Sequence, residues 1–195
     1  MATTRSIGGW RDRPDVTMAG LGLISGVASA NLGFSSSSPF LTWLQPLATL
    51  FGLSSDTLPI GFYFAVVVAF SIWRWTGKLW SVPVLLITTM YAWSAALQVG
   101  IRLQTNSGDD PHLIAASLAA GAVGAGLTHL GCALFSLGLR RPLRIVVTCL
   151  VGALAGMLLY MSERKMIDMQ WLFIVWQPAV AFCIGMGLAG RDPQS

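Results

Sequence analysis

Small residues recur at every fourth position along one apolar segment of the chain, residues 113–139. The row consists of Ala116, Ala120, Gly124, Thr128, Cys132 and Ser136, and the row beside it of Ser117, Gly121, Ala125, His129 and Ala133. Because residues four apart lie on one face of an α-helix, the segment predicts a helix with a face of small side chains. Small residues let helices in a bilayer approach closely. We therefore predict that this segment is the central helix of a membrane bundle.

Apolar segments separated by polar stretches predict an all-α, polytopic membrane bundle of six helices, since about 20 apolar residues cross a hydrocarbon core about 30 Å thick. The predicted spans are residues 16–34, 59–73, 79–101, 113–139, 145–161 and 171–189. Four of them carry rows of small residues, which predict close packing. The packing positions are Gly22, Gly26, Ala120, Gly124, Thr128, Gly152, Gly156 and Gly185. The second and third spans are bulky and aromatic, so we expect them at the periphery, facing lipid.

The first long loop contains an apolar run, residues 39–53, that is too short to cross the bilayer. Serines flank this run, and Gln45 and Pro46 interrupt it. Two interpretations stay open: a re-entrant half-helix that covers a binding site, or an amphipathic helix that lies on the membrane surface.

A polar arm with three arginines, residues 1–15, precedes the first span. This arm, a modest apolar segment and the tripeptide at residues 28–30 (Ala-Ser-Ala) also resemble a cleavable signal peptide. We interpret residues 16–34 as an uncleaved first span, and residues 16–189 as one transmembrane domain.

Basic residues are distributed unequally between the two sides of the predicted bundle. With a cytoplasmic N-terminus, nine of the twelve lie inside: Arg5, Arg11, Arg13, Arg74, Lys78, Arg140, Arg141, Arg144 and Arg191. Because cytoplasmic loops carry an excess of lysine and arginine, this distribution predicts the orientation. Residues 1–15 and 190–195 are then a cytoplasmic arm and a cytoplasmic tail, and we expect a bacterial-type inner membrane.

The composition agrees with a membrane protein, because 54% of the residues are hydrophobic and only 10% are charged, against about 25% charged in soluble domains. The net charge of +4 arises from residues at the ends of spans, and no basic patch is interleaved with aromatic residues. We therefore expect no nucleic-acid partner. The expected partners are the lipid bilayer and, through the glycine-rich faces, another membrane protein or a second copy.

His129 is the only ionisable side chain well inside a predicted span. Ionisable residues within a membrane are candidates for function, as a proton relay or as a metal or ligand contact. The alternative is a neutral imidazole that bonds to a neighbouring helix. Four amides near the membrane faces are candidate solute contacts, or else join helices by hydrogen bonds. They are Asn31, Gln45, Gln98 and Gln177.

Three cysteines lie in three different spans. With His129 they form a set that could hold zinc or copper(I), namely Cys132, Cys149 and Cys183. Nothing in their spacing brings them together, and cysteine in an apolar helix is usually a packing residue. We predict neither a metal site nor a disulfide framework, and the sequence identifies no cofactor.

No catalytic motif of the HExxH, GxSxG or Walker A type occurs, so we expect no enzyme. In size and topology alone, the chain resembles the substrate-binding membrane subunits of energy-coupling vitamin transporters. Our leading hypothesis is a transport or channel component that binds a small solute between the first, fourth, fifth and sixth helices. The alternative is an accessory subunit that packs against a partner through outward-facing glycines, and a third possibility is an intramembrane enzyme.

Overall fold

The computed structural model describes residues 13–32, 46, 49–50, 57–105 and 109–190. These residues form six α-helices and one short 3₁₀ helix, and no strand occurs among them. The helices are α1 (Pro14–Leu32), α2 (Leu58–Thr76), α3 (Ser81–Thr105), α4 (Asp110–Ala133), α5 (Pro142–Glu163) and α6 (Gln170–Ala189), and the 3₁₀ helix is Leu137–Arg140. Gln45 and nearly all of residues 39–53 lie outside the described residues, as do residues 1–12 and 191–195.

Five helices, α2 to α6, are each long and apolar enough to cross a bilayer, with 19 to 24 residues in each candidate span. The prediction of a membrane-embedded helical bundle is confirmed at this level. Polar residues at the ends of α1, including Asp15 and Asn31, lower its apolar content. Proline in the first turn begins α2, α4 and α5, where its missing N–H costs no helical hydrogen bond.

The predicted fourth span, residues 113–139, is not one helix. The helix ends at Ala133, and a 3₁₀ turn follows. The carbonyls left free at the break accept hydrogen bonds from the Arg140 side chain, whose Nε lies 2.9 Å from the Ala133 oxygen and whose terminal nitrogen lies 3.2 Å from the Leu134 oxygen. A basic side chain thus satisfies the backbone groups that a helix end leaves unpaired.

The six helices form a ring. Each helix packs against the next one in the chain, and α6 packs against α1, which closes the ring. Across the ring, α6 also touches α2 and α4, but only slightly. Large side chains fill the interior, among them Phe64, Leu85, Trp176 and Ile184.

Glycines bring two helix pairs into backbone contact. A Cβ added at Gly26 of α1 would lie 2.5 Å from the Phe173 oxygen of α6, and a Cβ at Gly121 of α4 would collide with the Gly152 oxygen of α5. Neither pair could approach this closely with larger side chains between the backbones. All eight residues predicted from the sequence as packing positions are buried.

The expectation that the aromatic second and third spans are peripheral is not met. In the candidate spans, 56% of α2 and 39% of α3 are buried, against 22% of α5, which carries a small-residue face. The physical reason is that the glycine face of α5 is narrow. It packs against α4 along one line, and the larger side chains on the rest of α5 lie on the outside of the ring. The large side chains of α2 instead fill the ring, where Phe64 packs edge-on against Trp176 at 5.5 Å.

The glycine contact predicts a difference between two alanine substitutions. Gly121→Ala should lower the free energy of unfolding by about 1–3 kcal/mol, because the added methyl group separates α4 from α5. Gly20→Ala, whose added Cβ meets no atom within 4 Å, should leave stability unchanged or raise it by up to about 1 kcal/mol through helix propensity. Unfolding by SDS in mixed micelles measures both, and equal stabilities would contradict the backbone contact.

Candidate functional site

A cavity of about 220 Å³ lies inside the ring, with walls contributed by α2 to α6. We call it the central cavity. Its residues come from the end of α3, the beginning of α4 and the beginning of α6, so it occupies one end of the ring. The exposed residues Gln104 and Glu163 line it, and they mark its mouth.

Small residues on facing helices leave this space open. Ala96 and Gly100 of α3 face Ala120 and Gly121 of α4 across the wall of the cavity, where none of them extends beyond a methyl group. The backbones of α3 and α6 do not pack together, and an edge-on contact between Trp93 and Phe173, with 5.9 Å between ring centroids, joins them instead. This pair of rings thus bridges α3 and α6 in the wall of the cavity.

Trp176 closes the deep end of the cavity. A Cβ added at Gly124 would lie 3.2 Å from its indole ring, so the ring rests against the backbone of α4. Beyond it lies a chamber of about 10 Å³, which shares Ile60, Trp93 and Trp176 with the central cavity. We call this space the inner chamber; it is about the size of one water molecule.

Two buried hydroxyl groups in these walls lack hydrogen-bond partners. Ser117 lines the central cavity and Thr89 lines the inner chamber. The indole N–H of Trp93, in contrast, donates to the Thr57 oxygen at 3.0 Å. Most buried polar atoms in proteins have a partner, so these two hydroxyls are exceptions among the described residues that line the two spaces.

Gln177 connects three helices near the inner chamber. The Ser25 hydroxyl donates to its Oε1 at 2.6 Å, and its Nε2 donates to the Ser29 oxygen at 2.9 Å. The Ser29 hydroxyl in turn lies 3.3 Å from the Ile60 oxygen of α2. The cluster therefore joins α1, α2 and α6 at the place where the ring closes.

His129 connects α4, the 3₁₀ turn and α5. Its Nε2 lies 3.0 Å from the Leu139 oxygen, and since a carbonyl only accepts, this nitrogen carries a proton. Its Nδ1 lies 2.8 Å from the Thr148 hydroxyl. Arg144 adds a further link, donating to the Gly187 oxygen of α6 at 2.8 Å. Both imidazole nitrogens thus have partners within the chain, and His129 does not line the central cavity.

The other candidate solute contacts do not gather around one space. Asn31 is exposed and its Nδ2 donates to the Val27 oxygen of its own helix at 2.8 Å. Gln98 is exposed and its Nε2 lies 3.5 Å from the Ser94 hydroxyl, one turn away. Gln177 lines only the inner chamber, and Gln45 lies outside the described residues. The central cavity also has α2 and α3 in its wall and no described residue of α1, unlike the site expected from the sequence between the first, fourth, fifth and sixth helices.

The three cysteines are free; Cys132 and Cys183 are buried and Cys149 is half-buried. Within the part of the chain that the structure describes, no three histidine, cysteine, aspartate or glutamate residues are grouped so that they could hold a metal ion. The structure therefore does not assemble the set of His129 and the cysteines into a ligand sphere.

Comparison with protein families, curated proteins and solved structures gives no match. The geometry of the chain alone therefore carries the functional interpretation.

The contacts of His129 predict a structural effect on substitution. His129→Leu should lower the free energy of unfolding by about 1–3 kcal/mol, because it leaves the buried Leu139 carbonyl without its donor. Thr148→Val should cost about 1 kcal/mol, and the double variant less than the sum, because the two side chains share one hydrogen bond. Denaturation of the four proteins in detergent measures this coupling. A His129→Leu protein as stable as the wild type would contradict it.

Proposed function

We propose that the chain is a small membrane transport or channel component that binds a small solute inside the ring of helices. The observation that carries this proposal is the central cavity, a space of about 220 Å³ that begins at an exposed mouth and ends on Trp176. Close packing is the rule in protein interiors. An apolar pocket with a few polar groups is the usual form of a small-molecule site.

The proposed topology has six crossings, with α1 as the sixth. Lys78, after α2, donates to the Phe135 oxygen after α4 at 3.2 Å, so these two connections adjoin at one end of the ring. Arg74 and Arg140 belong to the same end. The positive-inside rule assigns this end, and with it both termini, to the cytoplasm. The mouth of the central cavity then opens on the outer side.

The small-residue faces of the helices lie against other helices of the same molecule, which favours a solute-binding protein over an accessory subunit. An accessory subunit that packs through glycines needs them on its outer surface. In this chain the eight predicted packing residues are buried between helices of the same molecule.

A leucine at Gly100 tests the proposal. A Cβ at Gly100 would lie 3.5 Å from the Ala120 methyl group, an ordinary contact, so the rest of a leucine can extend into the central cavity. We expect Gly100→Leu to fold and to lose affinity for the solute by about 5- to 150-fold, because overpacking an occupied site costs about 1–3 kcal/mol. Gly20→Leu is the matched control, since a Cβ there meets no atom within 4 Å.

Native mass spectrometry of the purified proteins measures occupancy. The wild type and Gly20→Leu should retain a small molecule of defined mass that Gly100→Leu lacks, and wild-type proteoliposomes should take that molecule up. Identical spectra for Gly100→Leu and the wild type would refute solute binding in the central cavity.

A further inference from the structure

We propose that the solute is an amphiphilic cation, with its apolar part inside the central cavity and its positive charge beside the Glu163 carboxylate at the mouth. An alkyl amine, which is protonated at neutral pH, is the simplest molecule of this class. This inference rests on the proposed function, because it names the class of molecule that the central cavity takes. The walls of the cavity, the exposure of Glu163 and the contacts of its charged neighbours support it.

The interior of the central cavity suits an apolar group. The rings of Trp93, Phe173 and Trp176 line it, together with aliphatic and small side chains. The Ser117 hydroxyl offers no polar contact there, because it is fully buried. Since an unpaired charge is strongly disfavoured in apolar surroundings, the part of the solute inside the ring carries none.

The mouth of the cavity carries a charge that the interior lacks. Glu163 is the only ionisable side chain among the described residues that line the cavity, and it is exposed. Its carboxylate forms no hydrogen bond or ion pair within the part of the chain that the structure describes. A solute in the cavity can therefore reach this carboxylate, and a positive charge gains most from the contact.

The two basic residues that follow Glu163 are placed elsewhere. Arg164 forms an ion pair with Asp110 of α4, and its guanidinium lies over the Tyr160 ring, 6.0 Å from the ring centroid. Lys165 lines a separate pocket and not the central cavity. The described part of the chain thus supplies no countercharge for the Glu163 carboxylate, and a bound cation would supply it.

The position of Glu163 in α5 agrees with this assignment. The helix ends at this residue, and the dipole at the C-terminus of a helix favours cations over carboxylates. Helix stability therefore does not account for the carboxylate, whereas a cation at the mouth is attracted by both. Gly156 also lines the cavity, seven residues earlier, so the apolar part of the solute has about 10 Å of helix beside it.

Photolabelling with a matched pair of probes tests the proposal. One probe is octylamine with a diazirine near the end of its chain, and the other is 1-octanol with the same diazirine. Each is added to the purified full-length protein in phosphatidylcholine nanodiscs, and mass spectrometry measures the label on cavity residues, Trp93 and Trp176 among them. Each probe is compared with itself between variants, so that its partition into the bilayer cancels.

The charge is tested by Glu163→Gln. This variant should fold normally, because the carboxylate has no partner to lose among the described residues. Cavity labelling by the amine should fall about two- to fivefold, which is the effect of one exposed ion pair, and labelling by the alcohol should not change.

Two further variants serve as controls. Asp168→Asn removes the same charge from an exposed residue at the same end of the ring that does not line the central cavity, so labelling by either probe should not change. Gly100→Leu should remove most of the cavity labelling by both probes.

The outcomes separate the two proposals. Amine labelling that Glu163→Gln leaves unchanged, or that Asp168→Asn lowers equally, would overturn the role of Glu163 and leave the central cavity as a binding site. An equal loss of alcohol labelling in Glu163→Gln would do the same, because the effect would not depend on charge. Absence of label from the cavity residues, or labelling that Gly100→Leu does not affect, would overturn the proposed function as well.

Discussion

The ring of helices closes because α1 can lie against α6 with no side chain between the two backbones. At Gly26 a single methyl group would come within 2.5 Å of the Phe173 carbonyl oxygen, and at Gly22 within 2.8 Å of the Pro178 Cα. Helices in lipid gain little from excluding water, so they depend on close packing of this kind and on hydrogen bonds. Both occur at this contact, where Gln177 bonds to two serines of α1.

The central cavity exists because the six helices form a closed ring. Six helices that contact mainly their neighbours surround more volume than their backbones fill, and the side chains of the interior decide what remains. Phe64 and Trp176 fill the middle, whereas Ala96, Gly100 and Ala120 leave the end near the mouth open. The same small residues that allow close packing elsewhere thus produce the central cavity, and its polar character is limited to the residues at the mouth.

The sequence predicted the elements of the fold better than their arrangement. Apolar length and four-residue spacing identify the helices, because both are local properties of the chain. The break after Ala133 was missed, since nearly all residues up to 139 remain apolar, and the carbonyls freed at the break are satisfied by Arg140, which follows the predicted span. The burial of α2 was also missed. The spacing of apolar residues shows which face of a helix is apolar, but it does not show whether that face packs against other helices or against lipid.

The candidate site was less predictable than the fold. A search for ionisable and amide side chains selects His129 and Gln177, whose hydrogen bonds lie within the chain. Glu163 stands in the polar stretch after the fifth predicted span, and nothing in the sequence distinguishes it from a solvated surface residue. Only the three-dimensional arrangement shows that it lies at the mouth of a cavity.

The most direct test of the closed ring is to determine from which side of the membrane each of three introduced cysteines is labelled. The native cysteines are first replaced by alanine. Single cysteines are then introduced at three exposed positions, by Arg13→Cys, Trp80→Cys and Met166→Cys. Sealed vesicles that contain each variant are treated with a membrane-impermeant maleimide. If α1 crosses the membrane beside α6, the cysteines at 13 and 80 react from the same side and the cysteine at 166 from the other. A cysteine at 13 that reacts from the side of 166 would place α1 outside the bilayer and contradict the ring.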